Sequence, residues 1–146
     1  MPASDSLSIV RGPDKPELSR LTLGRLADQQ DERYGSKEAL VVGWSKARLS
    51  FRDLNRRSKE LARGLLALGV RKGVRVAIFS GDDERFVDLF FAVGRIGAIL
   101  VILNKTYTAT EFMRAIQVSG KCYVIIRVPP YISYMSPRFI TPIGSC

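Results

Sequence analysis

The chain has 146 residues, of which 46% are hydrophobic and 25% charged, a balance typical of one soluble globular domain or of a piece of a larger protein. It has two cysteines, no histidine, no apolar run near the roughly 18 residues of a transmembrane helix and no signal-peptide core. This composition argues against a disulfide framework, a Cys/His zinc site and a membrane span. We expect a reducing, intracellular location, in the cytoplasm or alternatively in the peroxisome or mitochondrion.

The net charge of +9 raises the hypothesis of a nucleic-acid partner. The densest basic group lies on the polar side of a predicted amphipathic helix and comprises Arg52, Arg56, Arg57, Lys59 and Arg63. Charges in that arrangement are typical of a solvated helix face. The sequence also carries no aromatic-basic motif of an RNA-binding sheet and no zinc-finger spacing. We therefore predict that these side chains lie in solvent and that the protein has no nucleic-acid partner.

The first predicted elements follow a flexible lead-in, residues 1–18, which is rich in proline and small polar residues. Thr22 is the predicted N-cap of a helix that ends just before Gly35. Residues 39–44 and 47–49 have the composition of two strands joined by a tight turn. The sequence therefore predicts a helix followed by a short β-hairpin.

The next helix has the best-defined start of the chain. Ser50 and Asp53 form a capping-box pattern, and Gly69 is a natural stop. Between them the apolar residues recur in helical steps that keep one face apolar, at Phe51, Leu54, Leu61, Leu65 and Leu68. We therefore predict an amphipathic helix that turns this face toward a core.

Three short apolar segments then alternate with two further helices, at residues 74–79, 99–103 and 123–126. The first of these helices follows an acidic turn at residues 82–84, and its predicted buried stripe is Phe86, Leu89, Phe90, Val93 and Ile96. The second helix begins with a capping box at Thr108 and Glu111. Such alternation implies parallel strands joined by right-handed crossovers. The predicted fold class is α/β, a short β-hairpin plus a parallel βαβαβ unit with helices packed on the sheet.

The character of the sequence changes near residue 127. Residues 128–146 are rich in proline, carry Arg138 as the only charged residue and show no helix or strand period. We therefore predict a folded part at residues 19–127 followed by an atypical Pro-rich tail, as a truncated or altered gene product would have. A genuine Pro-rich extension that packs over the sheet is the open alternative.

Several local motifs occur in series between residues 49 and 126. They are Leu49-Ser50-Phe51, the run GLLALGVRKG at 64–73, the run FFAVGRIGAILVIL at 90–103, and Asn104, Tyr107, Thr108 and Glu111. Together they resemble the first part of the large domain of the AMP-forming acyl-CoA synthetases, the adenylate-forming ligases, and among these the medium-chain fatty-acyl-CoA ligases most. Two departures bear on packing and turn chemistry: Val74 replaces a usual acidic residue, and Gly81-Asp82 replaces a common Pro-Asn pair.

The resemblance implies that an intact relative uses ATP and Mg2+ to convert a fatty acid to an acyl-adenylate and then passes the acyl group to coenzyme A. It also implies a Ser/Thr/Gly-rich phosphate loop followed by Lys, and a small C-terminal domain with a catalytic Lys; neither matches residues of this sequence. We therefore assign no catalytic, cofactor-binding or metal-binding residue and expect no activity from the chain alone, as a truncated member of the family. The alternative hypothesis is a non-catalytic α/β interaction module, and the oligomeric state is left open.

The carboxyl ends of the parallel strands form the usual ligand-binding edge of an open α/β sheet. The residues predicted at this edge are Ser80, Gly81, Asp82, Asn104 and Lys105. All of them suit turns or caps, and without histidine Ser80 has no obvious activating base. Gly94 and Gly97 fall late in a helix instead of in a strand-to-helix turn, so they do not form a dinucleotide fingerprint. We therefore interpret the edge as structural.

Overall fold

The computed structural model describes residues 12, 13, 15, 17, 19–81, 83–120, 122–126 and 140–142. Its helices are α1 (Leu23–Tyr34), α2 (Phe51–Ala67), α3 (Glu84–Arg95) and α4 (Ala109–Ser119). Its strands are β1 (Glu38–Val42), β2 (Ala47–Ser50), β3 (Arg75–Phe79), β4 (Ile99–Leu103), β5 (Cys122–Ile126) and β6 (Ile140–Pro142). None of these helices is long and apolar enough to cross a membrane. The predicted division into residues 1–18, 19–127 and 128–146 falls partly outside the described residues and stays a prediction.

The predicted helix starts are confirmed, because each N-cap side chain accepts a backbone hydrogen bond. Thr22 caps α1 through its Oγ1, which accepts from a backbone amide at 3.3 Å. At α2 the Asp53 amide donates to Ser50 Oγ at 3.1 Å, and the Ser50 amide donates to Asp53 Oδ2 at 3.2 Å. The same reciprocal pair joins Thr108 and Glu111 at the start of α4. Local sequence therefore fixes where these helices begin.

The main sheet has the strand order β4-β3-β5-β6. β3 pairs in parallel with both β4 and β5, so that Phe79 lies opposite Leu103 on one side and Ile126 on the other. β1 and β2 form a separate antiparallel hairpin. The hairpin and the parallel βαβαβ unit confirm the predicted α/β fold class. The first strand is shorter than predicted, because β1 ends at Val42 and Trp44 lies in the turn.

The sheet is covered by helices on both faces. On one face α2 and α3 pack on β3, and the buried residues there include Leu65, Val70, Val76, Leu89 and Val93. On the other face α4 brings Ile116 against Ala77 and Leu103. Burial on both sides explains why the strand sequences are almost continuously apolar.

Helix α1 meets the end of α3 through two glycines. A Cβ atom at Gly24 in α1 would stand 2.9 Å from Arg95 Cγ, and a Cβ atom at Gly94 in α3 would stand 2.8 Å from Leu23 Cδ1. Both distances are shorter than the roughly 3.5–4.0 Å at which carbon atoms pack. The missing side chains therefore allow the two helices to approach this closely.

A strand lies within the predicted tail, where the sequence showed no strand period. β6 pairs antiparallel with β5, with Ile140 opposite Ile125 and Pro142 opposite Tyr123. Main-chain groups make this pairing, so it requires no alternation of side chains. A proline is tolerated at the end of a strand on the edge of a sheet, where one amide is not needed. The remainder of residues 128–146 lies outside the described residues.

Two apolar residues that were predicted to be buried are exposed: Leu68 by 45% and Phe90 by 37%. Leu68 is the C-cap of α2 and follows its last helical turn. Phe90 lies about 100° around the helix from Leu89, which is 2% exposed. The Phe90 ring packs edge-on against Phe91 instead, with ring centres 5.5 Å apart. The buried stripe of α3 is therefore narrower than the sequence suggested.

Candidate functional site

Of the residues predicted at the carboxyl ends of the strands, Ser80 and Asn104 do lie at one edge of the sheet. Ser80 follows β3 and Asn104 follows β4, and the strands are in register up to their last residues. Asn104 Oδ1 accepts hydrogen bonds from the Thr106 amide and hydroxyl, at 3.0 Å and 2.9 Å. Lys105 lies exposed in the same turn, and Asp82 falls outside the described residues. These contacts support the structural interpretation for Asn104.

Ser80 has a different environment. Its Oγ is buried and has no hydrogen-bond partner among the residues that the structure describes. It lines a cleft of about 400 Å³ between α2, α3 and the end of β3. The other lining residues are Arg57, Glu60, Leu61, Ile78, Arg85, Asp88 and Leu89. We call this feature the Arg57–Asp88 cleft.

An ion pair forms one wall of the cleft. Arg57 Nε donates to Asp88 Oδ2 at 2.9 Å, and Arg57 Nη2 lies 2.6 Å from the same oxygen. The Arg57 side chain is 19% exposed and the Asp88 side chain 3% exposed. Arg57 was predicted to lie in solvent with its basic neighbours, and that prediction is wrong. The reason is that Arg57 lies one helical turn before Leu61, so it points toward α3.

The electrostatics of the pair are dominated by burial. Removal of water raises the pKa of the Asp88 carboxyl above its usual value of 3.8, while the charge of Arg57 and its hydrogen bond oppose that rise. Both nitrogen contacts of Arg57 converge on Oδ2. Oδ1 of Asp88 is buried and has no hydrogen-bond partner within the described part of the chain. The cleft wall therefore carries three buried polar atoms that have no hydrogen-bond partner among the described residues: Asp88 Oδ1, Ser80 Oγ, and Arg57 Nη2, which meets Asp88 Oδ2 as an ion-pair contact only.

The sequence contained a signal for this site that residue-type reasoning missed. Asp88 and Ala92 are four residues apart in α3, so they share a helix face, and Ala92 is fully buried. A carboxylate on a buried helix face needs a cation or a hydrogen-bond donor. Arg57 occupies the corresponding face of α2 beside Leu61. A carboxylate on the buried face of α3 and a guanidinium on the facing side of α2 would have predicted an ion pair between the two helices.

A second set of polar side chains surrounds Arg95 at the C-terminal end of α3. Arg95 Nε donates to Ser58 Oγ at 3.1 Å, Arg95 Nη1 donates to Asp28 Oδ1 at 3.1 Å, and Arg95 Nη2 donates to Asn55 Oδ1. Asn55 in turn donates to Asp31 Oδ2 at 2.8 Å, and Ser58 donates to the Asn55 carbonyl at 2.9 Å. We call Arg95, Asp28, Asn55 and Ser58 the Arg95 cluster. Its hydrogen bonds link α1, α2 and α3, and none of its buried side-chain polar atoms is without a hydrogen-bond partner among the described residues.

The described residues do not fit the nucleotide and metal that the sequence resemblance implied. They contain no group of three or more carboxylate, thiol or imidazole side chains that could hold a metal ion. At the strand ends, the Asn104 side-chain oxygen is already engaged in its own turn. A phosphate cradle requires several amides and a cation directed at one point. We therefore assign no step of adenylation to these residues.

Comparisons with known proteins identify close relatives. The chain is 48% identical over 124 residues to the acyl-CoA ligase sidI of Beauveria bassiana. This match covers 85% of this chain and 21% of that protein. It is 35% identical over 113 residues to the mitochondrial medium-chain acyl-CoA ligase ACSF2 of Bos taurus. That match covers 77% of this chain and 18% of that protein. The chain thus spans about a fifth of the length of these relatives. Since sidI shares more residues with it than ACSF2 does, the medium-chain subgroup stays a prediction.

The fold comparison agrees with the sequence comparison. The structure is similar to the N-terminal domain of FACL13 from Mycobacterium tuberculosis, with a TM-score of 0.68 and 27% identity over 73% of this chain and 27% of that one. Residues 27–139, which are more than half of the chain, match the family model described as AMP-binding enzyme. The chain therefore belongs to the AMP-binding enzyme family, and it corresponds to the N-terminal part of acyl-CoA ligases within it.

Proposed function

We propose that residues 19–126 form the N-terminal scaffold of an acyl-CoA ligase, which activates a fatty or related carboxylic acid with ATP and Mg2+ and transfers the acyl group to coenzyme A. The observation that carries this proposal is the 48% identity to the acyl-CoA ligase sidI over 85% of the chain. The similarity to the FACL13 N-terminal domain supports the same assignment. In this proposal the region supplies a folded α/β platform, and the reacting groups belong to the rest of the ligase.

The physical argument for a scaffold role is the way the polar groups are used. Arg95, Asn55 and Ser58 hydrogen-bond one another in the Arg95 cluster, and Asn104 hydrogen-bonds Thr106 within the turn after β4, so these polar groups are already engaged. Adenylyl transfer needs donors, cations and metal directed at the charge that develops in the transition state. Loss of one such donor costs about 100- to 1000-fold in rate. We therefore expect the chain alone to have no measurable activity.

The first experiment measures pyrophosphate–ATP exchange by the purified chain with medium-chain fatty acids. The matched control is the same preparation after boiling. We expect equal exchange in both samples. Exchange clearly above the boiled control would show that this region does contain the reacting groups, and the division of roles would be wrong.

The second experiment tests the scaffold role directly. Residues 19–126 replace the matching segment of the acyl-CoA ligase sidI from Beauveria bassiana, and exchange activity is measured in the chimaera. We expect activity within about tenfold of the parent enzyme, since related cores accept one another's side chains at a modest cost. A control chimaera with Val76→Asp, which places a charge in the core of β3, should be inactive. An inactive chimaera with the unmodified segment would contradict the proposal.

A non-catalytic interaction module is the second candidate function, and the edge strand β4 favours it. β4 lies at one end of the described sheet, where Ile99 is 47% exposed and Ile102 is 61% exposed. Exposed apolar residues on an edge strand mark a surface that another polypeptide covers. In the chimaera, Ile102→Lys should lower exchange if the ligase covers this edge. Unchanged exchange would leave the edge available to a separate partner and favour the module.

A further inference from the structure

The Arg57–Asp88 cleft is not used by the proposed scaffold role, and it contains hydrogen-bonding capacity that the described residues leave unmet. Asp88 is 2% exposed, yet its Oδ1 has no hydrogen-bond partner within the described residues, and neither Ser80 Oγ nor Arg57 Nη2 has one. Buried polar atoms in folded proteins are nearly always hydrogen-bonded, because burying one without a partner destabilises the fold. All three residues line the same cleft. A group bound in the cleft would supply the missing hydrogen bonds.

The chemistry of the cleft restricts what that group can be. The cleft is lined by two cations, Arg57 and Arg85, and by two carboxylates, Glu60 and Asp88, so a charged ligand meets both attractive and repulsive partners. The ionised Asp88 oxygen only accepts hydrogen bonds, Arg57 Nη2 only donates them, and the Ser80 hydroxyl can do either. The cleft is lined on its apolar side by Leu61, Ile78 and Leu89. The complementary ligand is therefore uncharged, with a donor beside an acceptor and an apolar body.

We propose that the Arg57–Asp88 cleft is a binding site for a neutral carboxamide on an apolar body. The amide NH2 donates to Asp88 Oδ1, and the amide oxygen accepts from the Ser80 hydroxyl. The apolar body lies on Leu61, Ile78 and Leu89. A cleft of about 400 Å³ is within the size range of small-molecule sites and exceeds what a single water molecule fills.

The test uses the full chain and four probes of similar shape: benzamide, benzoate, benzamidine and toluene. Binding is followed by NMR through the backbone amides of Ser80 and Asp88 and the Nε–H of Arg57. We expect saturable shifts with benzamide and at least tenfold weaker binding of the other three. Binding of toluene as tight as benzamide would show an apolar groove without polar recognition. No saturable shift with benzamide would show that water alone satisfies these oxygens. Either result overturns the proposal.

Ser80→Ala is the sharpest variant, because it removes one partner and leaves the Arg57–Asp88 pair intact. It should weaken benzamide about fivefold, as expected for the loss of one hydrogen bond. Ser119→Ala is the matched control, since the Ser119 hydroxyl binds the Ala115 carbonyl on the opposite side of the sheet. It should leave benzamide binding unchanged. Unaltered binding by Ser80→Ala, or an equal loss in both variants, would contradict the assignment of the amide to Ser80.

Discussion

The Arg95 cluster and the Arg57–Asp88 cleft place the same chemistry at two ends of the same helix pair. Each buries a guanidinium between α2 and α3. Arg95 reaches three acceptors, on Ser58, Asp28 and Asn55. Arg57 directs two nitrogens at one oxygen of Asp88 and leaves the other oxygen without a partner among the described residues.

The difference between the two sites comes from a third helix. α1 crosses the end of α3 at Gly24 and Gly94 and brings Asp28 to Arg95. The opposite end of α3 has no such neighbour within the described residues, so an open cleft remains there. A buried ion pair contributes to stability only when its remaining hydrogen bonds are also made. The Arg95 cluster meets that condition, and the Arg57–Asp88 pair meets it in part.

The largest expected effect is the loss of one partner from the incomplete site. Asp88→Ala leaves the Arg57 guanidinium largely buried without a counter-ion, and we expect a loss of about 3–5 kcal/mol in the free energy of unfolding. Urea denaturation, monitored by circular dichroism, measures this loss in the free energy of unfolding. Removing both charges with Arg57→Met and Asp88→Leu together should cost clearly less, because an apolar pair needs no partner.

The matched control for this pair is the exposed Arg56, one residue away on the same helix. Arg56 pairs with Glu60 at 3.1 Å, and both side chains are more than half exposed. Arg56→Ala should change the free energy of unfolding by less than about 0.5 kcal/mol. If Asp88→Ala and Arg56→Ala gave similar values, the Arg57–Asp88 pair would be a solvated contact.

The next effect concerns the complete site. Arg95→Ala should cost about 2–3 kcal/mol, because it leaves acceptors on the buried Asn55 and Ser58 without their donor. It should also loosen α1, which amide hydrogen exchange in α1 would detect. Arg63→Ala on the exposed side of α2 is the control and should leave exchange unchanged. Protection of α1 that survives Arg95→Ala would contradict a linking role for the cluster.

Two serines provide a smaller and more direct comparison. Ser58 donates to the Asn55 carbonyl and accepts from Arg95, whereas the buried Ser80 hydroxyl has no partner among the described residues. Ser58→Ala should cost about 1–2 kcal/mol, while Ser80→Ala should be neutral or slightly stabilising. Equal losses in denaturant midpoint would show that the Ser80 hydroxyl is hydrogen-bonded in solution.

The smallest effect is the pH dependence, which should have opposite signs at the two sites. Burial raises the pKa of Asp28, but a hydrogen bond from Lys59 and the charge of Arg95 outweigh it, so the pKa lies below 3.8. The Asp28 contribution is therefore present above pH 3.8 and is lost as pH falls through the lowered pKa. Asp88, with a raised pKa, contributes stability below pH 3.8 that is lost as pH rises through the raised value.

Unfolding free energies from about pH 3 to pH 6 can separate these signs. The difference between the parent chain and Asp28→Asn should grow as pH rises. The difference between the parent chain and Asp88→Asn should shrink over the same range. Parallel profiles for the two variants would show that both carboxylates have the same kind of environment.

The sequence predicted those features that depend on residues close together in the chain. The capping boxes at Ser50 and Thr108 and the order of strands and helices are fixed within a few residues, and these predictions are confirmed. The burial of Arg57 and the exposure of Phe90 depend on the rotation of each helix against its neighbour. β6 depends on a free sheet edge, which the side-chain pattern does not encode. The candidate cleft was missed because it requires two helices and a strand end at once.

The glycine contact between α1 and α3 has a consequence for how this region tolerates mutation. Gly24 and Gly94 each face side-chain carbon atoms at a distance that leaves no room for a methyl group. In a library of random variants selected for folding, both positions should return almost only glycine. A Cβ atom added at the exposed Gly64 would meet no atom within 4 Å, so this position should accept larger residues freely. The contact between the two helices would then be limited by two residues that have no side chain at all.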